Sequence, residues 1–243
     1  MKPLVIIKLG DTFPQLAARH GDFENWIEAG ISRLHVPVEV IDPRQDLPLP
    51  PNEDIAGAIV TGSHAMVTDY SPWSATTAFW LYKLVLHGIP VLGICYGHQL
   101  LAHALGGEVG YHPQGMEIGT VPVRRTAAAA TDRLFKDLPD EFPVQVVHRQ
   151  SVRKLPRGAV LLAGNEFEPH QAFRVGNSAW GTQFHPEFSS AAMAGYIAHL
   201  GADLEREGRD PRRLQEQVTP TAAASRILHG FGTLVAERQG CFA

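Results

Sequence analysis

Two separate segments contain residues that together could perform nucleophilic catalysis. In the first, Cys95 lies between Gly93 and Gly97 in a G-x-C-x-G pattern, directly after an apolar run. In the second, His185 and Glu187 are separated by one proline. A thiolate nucleophile needs a base within hydrogen-bond reach, and that base usually needs an orienting group. These residue types therefore predict a cysteine nucleophile, a histidine base and a glutamate that holds the imidazole.

The segment around Cys95 is predicted to form a strand, a tight turn and a helix. Residues 91–94 are apolar and follow a proline, and apolar residues then recur at helical spacing as far as Gly106. A strand-to-helix turn of this kind, a nucleophile elbow, holds a reactive side chain out of the sheet. Glycine is expected on both sides of Cys95, because a Cβ there would collide with neighbouring backbone. The positive end of the helix dipole favours thiolate over thiol, although a buried and inert cysteine is the alternative.

The second segment favours a fixed pair of histidine and carboxylate. At the end of an extended strand, residues two apart point to the same side, so Glu187 can reach the imidazole of His185. Pro186 restricts the backbone between them. A surface turn with two unrelated polar residues is an alternative, and so is a metal site, because both side chains bind metals. No third ligand follows at a recognisable spacing, so the sequence predicts no metal.

The composition is that of a globular protein with no nucleic-acid or membrane partner. The 243 residues are 44% hydrophobic and 19% charged, with a net charge of −4. No run of about 18 apolar residues is present, so no membrane span is predicted. The N-terminal apolar run is too short for a signal peptide and predicts a first strand. Since Cys95 and Cys241 are the two cysteines, a disulfide framework is not expected, and a cytoplasmic location is predicted.

Strands and helices alternate along the first half of the chain, and shorter strands follow up to residue 183. The strands of the first half are predicted at 4–9, 36–41, 55–60 and 91–94. Such alternation predicts an α/β fold with a mostly parallel central sheet and helices on both faces, a flavodoxin-like arrangement of three layers. A single loose helix, weakened by Gly21, is expected over residues 12–31.

Residues after the last predicted strand are helical in pattern. One helix is predicted from 189 to about 207 and another from 221 to about 238. We predict that residues 1–243 form a single domain, with a core of about 1–190 and a helical extension of about 191–243.

The two catalytic segments together resemble the class I, or triad, glutamine amidotransferases. The resemblance is carried by GICYGHQ at 93–99 and QFHPEF at 183–188, in the order cysteine and then His-x-Glu. It covers roughly residues 4–188. The closer similarity is to stand-alone proteins whose amidotransferase domain is like that of GMP synthase, and VTGS at 60–63 followed by MVTD at 66–69 suits that group.

The resemblance implies a reaction mechanism. Cys95 would attack the side-chain amide carbon of glutamine, and His185 would pass a proton to the departing ammonia. Water activated by the same histidine would then hydrolyse the γ-glutamyl thioester. Neither a cofactor nor a metal is implied.

The resemblance also implies an oxyanion hole and a substrate-binding segment. The backbone N–H groups of Gly62 and Tyr96 would stabilise the tetrahedral oxyanion. Gln99, one helical turn after the nucleophile, would help to bind the substrate. The substrate's α-amino and carboxylate groups would be held, largely through backbone, by the segment 148–151, in which His148, Arg149 and Gln150 are the candidate binding residues. Many relatives have a small or acidic residue in place of the last two.

The absence of synthase motifs bears on the protein's partner and on its alternative functions. No P-loop or synthase motif occurs, and the residues after 188 are too few for a synthase domain. The resemblance therefore implies an enzyme that delivers ammonia to a separate synthase. A γ-glutamyl peptide or γ-glutamyl amine hydrolase with the same triad is an alternative, since only the leaving group differs. A non-catalytic regulatory domain is a third alternative, but the presence of all three triad residues argues against it.

Overall fold

A nine-stranded sheet lies at the centre of the computed structural model, which describes residues 1–31 and 36–240. The strands of the described chain are β1 (Leu4–Ile7), β2 (Val38–Ile41), β3 (Gly57–Val60), β4 (Val91–Ile94), β5 (Glu108–Tyr111), β6 (Glu117–Arg125), β7 (Glu141–His148), β8 (Gln150–Lys154), β9 (Val160–Gly164), β10 (Ala172–Val175) and β11 (Ala179–Thr182). The helices are α1 (Pro14–His20), α2 (Phe23–Ile31), α3 (Pro72–Leu86), α4 (Tyr96–Ala104), α5 (Ser190–His199), α6 (Gly201–Arg206), α7 (Pro211–Glu216) and α8 (Ala222–Arg238).

The sheet has a parallel part and an antiparallel part. Its order is β2-β1-β3-β4-β11-β10-β9-β6-β7, and the first five strands run parallel. The other four join as antiparallel neighbours, and β5 pairs with β8 in a separate two-stranded ribbon. The predicted α/β fold with parallel central strands is therefore confirmed. Since β4 lies between β3 and β11, the strand that leads to Cys95 is central in the parallel part.

Helices cover both faces of β1, β3 and β4, which explains why these three strands are apolar throughout. Alternate residues of β1 point to opposite faces: Leu4 and Ile6 pack with α2 and α8, whereas Val5 and Ile7 pack with α3 and α4. All four β1 residues are buried. Helix α8 lies in the predicted C-terminal extension, and its buried side chains complete the core on the first face.

Two segments predicted as single helices are interrupted. The predicted helix at 12–31 is wrong, because Gly21 adopts a φ of +80° and separates α1 from α2. The Asp22 carboxylate then accepts hydrogen bonds from the N–H groups of Phe23 and Thr12, at 2.8 and 2.7 Å, and so begins α2. The predicted helix at 189–207 is likewise divided, into α5 and α6, at Leu200.

Within residues 1–31 and 36–240, no helix has the length and apolar character needed to cross a membrane. Cys241, the second cysteine of the sequence, lies outside the described residues.

Candidate active site

Cys95 lies in the sharp turn between β4 and α4. Its backbone has a φ of +50° and a ψ of −99°, and a positive φ is rare for a residue with a side chain. Hydrogen bonds hold the turn on both sides: the Cys95 N–H donates to the Thr182 carbonyl at 2.8 Å, and the Cys95 carbonyl accepts from the Gln99 N–H at 3.0 Å. This strained geometry is that of a nucleophile elbow, in which the side chain is pushed out of the sheet.

The glycines on either side of Cys95 allow backbone to approach closely. A Cβ on Gly93 would lie 2.4 Å from the Gly97 carbonyl oxygen, and a Cβ on Gly97 would lie 2.4 Å from the Val60 carbonyl oxygen. Both distances are far below van der Waals contact, as the sequence predicts. The position of α4 against β3 and β4 therefore depends on the absence of these side chains.

We expect Gly97→Ala to lower the free energy of unfolding by about 1–3 kcal/mol, because the added methyl group overlaps backbone that cannot move easily. The matched control is Gly230→Ala in α8, where the new Cβ would lie 3.5 Å from Leu134 Cδ2, an ordinary contact. That change should raise stability by about 0.5–1 kcal/mol through helix propensity. Urea unfolding measures both, and equal midpoints for the two variants would contradict the steric argument.

His185 and Glu187 form a buried pair beside Cys95. The Nδ1 atom of His185 lies 2.7 Å from Oε1 of Glu187, and their side chains are 2% and 0% exposed. Within the described part of the chain, the other ring nitrogen, Nε2, has no hydrogen-bond partner. A Cβ placed on Gly62 would lie 3.1 Å from His185 Cε1 and 3.8 Å from Cys95 Cβ. The imidazole and the cysteine therefore meet at Gly62.

The charge state of His185 follows from its neighbours. Burial lowers the pKa of His185, but the Glu187 carboxylate and the Cys95 sulfur raise it more, and the result is a pKa of about 10. The imidazole is therefore protonated at neutral pH. A cationic imidazole favours the thiolate form of a neighbouring cysteine and can donate a proton to a leaving group.

The two predicted oxyanion-hole residues lie next to the sulfur. Gly62 follows β3 directly, and the Thr61 hydroxyl fixes this turn: it accepts from the Leu9 N–H and donates to the Gly62 carbonyl, both at 2.9 Å. Tyr96 is the first residue of α4. The first N–H groups of a helix have no acceptor within the helix, so the Tyr96 N–H is directed out of the helix N-terminus beside Cys95.

A hydrogen-bonded set of side chains holds the predicted substrate-binding segment against α4. The Gln99 Nε2 donates to the Gln150 carbonyl at 2.7 Å and to Gln183 Oε1 at 3.0 Å. The Gln150 Nε2 donates to the Thr68 hydroxyl at 2.6 Å. Among the described residues, no partner exists for the buried Gln150 Oε1. A buried acceptor of this kind is suited to a ligand that brings a donor.

One cavity of about 240 Å³ is lined by most of the residues that the sequence predicts to be functional, whereas Gly62 and Glu187 lie outside its lining. Its lining includes Cys95, Tyr96, Gln99, His148, Arg149, Gln150 and His185. Arg149 is at the mouth, where its guanidinium donates to Glu207 at 2.9 Å. Within residues 1–31 and 36–240, no group of three or more His, Cys, Asp and Glu side chains is arranged to hold a metal ion.

Residues 19–201 match the model of the family glutamine amidotransferase class-I. This chain belongs to the class I glutamine amidotransferases. The family resemblance predicted from the sequence is therefore confirmed, and the match includes both the elbow and the His-x-Glu segment of this amidotransferase domain.

Relatives and solved structures agree with this assignment. The GMP synthase [glutamine-hydrolyzing] of Thermomicrobium roseum is 32% identical over 194 residues, which are 80% of this chain and 33% of that protein. The chain thus spans about a third of the length of the curated relatives it matches. Crystal structures of glutamine amidotransferases from Thermotoga maritima and Methylobacillus flagellatus, each 24% identical, have TM-scores of 0.73 and 0.74. They cover 98% of this chain and 98% and 95% of their own chains, and they show the same fold.

Behind the cavity of this amidotransferase domain lies a buried carboxylate, Glu117, which sequence reasoning missed. Its Oε2 accepts from His148 Nε2 and from Gln171 Nε2, and its Oε1 accepts from Asn165 Nδ2, all at 2.8 Å. The other ring nitrogen of His148 lies 3.0 Å from the Gln150 carbonyl. Glu117 therefore fixes the predicted substrate-binding segment from behind. The sequence signal that could have indicated Glu117 was an acidic residue at the start of a largely apolar strand.

We expect Glu117→Gln in this amidotransferase domain to raise the KM for glutamine about tenfold with a smaller change in kcat, because it weakens a charged hydrogen bond worth about 1.5–3 kcal/mol. Steady-state kinetics separate the two constants. Glu141→Gln is the matched control, since Glu141 forms an exposed pair with Arg124. Equal KM values in the two variants would show that Glu117 does not position the segment.

Sequence reasoning also missed an aromatic wall of the cavity, which comprises Phe13, Phe23, His64 and Tyr196. The Phe13 ring lies 4.5 Å from the His64 ring and 4.9 Å from the Tyr196 ring, between centroids. Tyr196 comes from α5 and Phe13 from the turn before α1.

Proposed function

We propose that this protein hydrolyses the side-chain amide of glutamine through a thioester on Cys95 and releases ammonia. The observation that carries the proposal is the meeting of Cys95, His185 and Gly62, with Glu187 2.7 Å from the imidazole. Membership of the class I glutamine amidotransferases supports the same chemistry.

The first half of the reaction forms the thioester. The Cys95 sulfur attacks the amide carbon, and the negative charge that develops on the carbonyl oxygen is stabilised by the N–H groups of Gly62 and Tyr96. When the intermediate collapses, the carbon–nitrogen bond breaks. The His185 imidazolium gives its Nε2 proton to the nitrogen, which leaves as ammonia.

The second half of the reaction releases glutamate. His185 is now neutral and accepts a proton from water as the water oxygen attacks the thioester carbon. The carbon–sulfur bond breaks, and the sulfur leaves as the thiolate beside a restored imidazolium. Glu187 keeps the imidazole in one orientation through both halves and stabilises its positive charge.

The polar part of the cavity suits the amino-acid end of glutamine. The buried Oε1 of Gln150 would accept a hydrogen bond from the substrate's α-ammonium group. The Arg149 guanidinium would meet the α-carboxylate, because it has further donors besides the one that contacts Glu207. Gln99 would act mainly by fixing the carbonyl of Gln150, since its Nε2 atom is engaged there.

The ammonia would be used by a separate synthase. Support comes from the similarity to GMP synthases described as glutamine-hydrolyzing, of which this chain spans about a third. A cytoplasmic location stays a prediction.

The test is to incubate the purified protein with glutamine and to measure glutamate and ammonia. We expect equal amounts of both products. Acid quenching during turnover, followed by mass spectrometry of the peptide that contains Cys95, should show a γ-glutamyl adduct on the sulfur. If glutamine is left intact and no adduct forms with any γ-glutamyl compound, the proposal is wrong and a non-catalytic role is favoured.

A further inference from the structure

We infer that the aromatic wall is a leaving-group subsite, and that the protein hydrolyses γ-glutamyl amides whose amine portion is neutral and apolar. This substrate class depends on the proposed thioester chemistry of Cys95, because the same bond is broken. The inference gives a role to the aromatic wall, which the ammonia leaving group of glutamine does not need.

The position of His185 decides which part of the substrate meets the wall. The leaving nitrogen must lie next to His185, which gives it a proton. Phe23, which lines the cavity, is nearly parallel to the imidazole at 6.3 Å between centroids. The His64 ring, also in the lining, lies edge-on to Phe23 at 6.4 Å and to Tyr196 at 5.8 Å. A substituent on the leaving nitrogen would therefore extend along aromatic rings.

The Tyr196 hydroxyl of the wall is engaged with two neighbouring side chains. The Thr12 hydroxyl donates to the Tyr196 hydroxyl at 3.0 Å, and His64 Nε2 lies 3.1 Å from the same oxygen. Burial, followed by the charge of His185, lowers the pKa of His64, so its imidazole is neutral at neutral pH. The wall thus offers ring surface and no charge, which suits an apolar group.

The same lining disfavours a peptide as the leaving group. A γ-glutamyl peptide would bring a carboxylate to the wall, where a cation would be needed to compensate for its burial. The His185 imidazolium in this lining is already paired with Glu187. Among the described lining residues, Arg149 is the one lysine or arginine, and it belongs to the predicted substrate-binding segment. An alkylamine or arylamine brings no such charge.

The reaction balances without a further reagent. The Cys95 sulfur forms a bond to the γ-carbon while the carbon–nitrogen bond breaks, and the His185 proton goes to the amine nitrogen. Water then cleaves the thioester, and the products are glutamate and the free amine.

The first experiment compares kcat/KM of the intact protein for γ-glutamylbenzylamide, γ-glutamylglycine and glutamine. We expect the benzylamide to exceed γ-glutamylglycine by about tenfold or more, from burial of its ring. A benzylamide value at or below that of γ-glutamylglycine, with glutamine still hydrolysed, would overturn the subsite and leave the thioester proposal standing. Inertness toward all three would overturn both.

The second experiment changes the wall. In Phe13→Ala, the ratio of kcat/KM for γ-glutamylbenzylamide to that for glutamine should fall about tenfold. Leu200→Ala changes another residue of the same cavity lining and should also lower this ratio. It replaces Phe13→Ala as the test variant if Phe13→Ala melts at a much lower temperature than the wild type. Phe79→Ala, an exposed aromatic residue of α3, is the matched control and should keep the ratio. An unchanged ratio in both cavity variants would overturn the assignment.

Discussion

Replacing Cys95 by alanine is expected to reduce kcat for glutamine hydrolysis by about a millionfold, the scale seen when an enzyme loses its nucleophile. Without the sulfur no thioester forms, and the oxyanion hole and His185 have no covalent intermediate to act on. The measurement is glutamate release under saturating glutamine, together with loss of the γ-glutamyl adduct in mass spectrometry. Cys95→Ser should be almost as inactive, because a serine hydroxyl is not ionised at neutral pH.

Two controls distinguish the loss of the nucleophile from a folding defect. Cys95→Ala should unfold at nearly the wild-type urea concentration, since the turn is held by backbone hydrogen bonds to Thr182 and Gln99 that do not involve the thiol. His103→Gln, an exposed change on the same helix, should keep wild-type turnover. Wild-type turnover in a properly folded Cys95→Ala protein would show that the proposed mechanism is wrong.

Glu187→Gln should lower kcat by about a hundredfold to ten-thousandfold, with measurable activity remaining. The amide can still contact the imidazole, but it carries no charge to stabilise the imidazolium and does not impose one tautomer. The KM for glutamine should change little, because Glu187 lies behind His185 and not in the cavity lining. A large rise in KM with unchanged kcat would mean that Glu187 shapes the binding site instead.

The same variant should change how stability depends on pH. His185 has a pKa of about 10 in the folded protein, above its ordinary value of 6.5. A raised pKa means that the pair stabilises the fold fully below pH 6.5 and loses this contribution as the pH rises through 10. The stability difference between wild type and Glu187→Gln should therefore shrink over that range. Urea unfolding at several pH values measures it, and parallel curves would contradict the ion pair; Glu141→Gln is the surface control.

The sequence by itself determined the elements whose geometry depends on near neighbours. The glycines beside Cys95 act through contacts with the adjacent strand and turn, and the reach from Glu187 to His185 depends on two residues of extended chain. Continuous apolar runs were enough to predict β1, β3 and β4, because burial on both faces makes these strands apolar throughout. The break at Gly21 was harder to predict, since it depends on whether the Asp22 carboxylate begins a new helix.

Only the tertiary structure decided what surrounds the catalytic residues. Glu117 reaches His148 because β6 and β7 pair as neighbours in the sheet. Thr12 meets Tyr196 across 184 positions of sequence because α5 packs beside α1. Such partners have no fixed spacing, so no local pattern marks them, and they are set by how helices and strands pack to bury their apolar faces. The predicted nucleophile was therefore evident from the sequence, whereas the cavity walls that we propose to select its substrate were not.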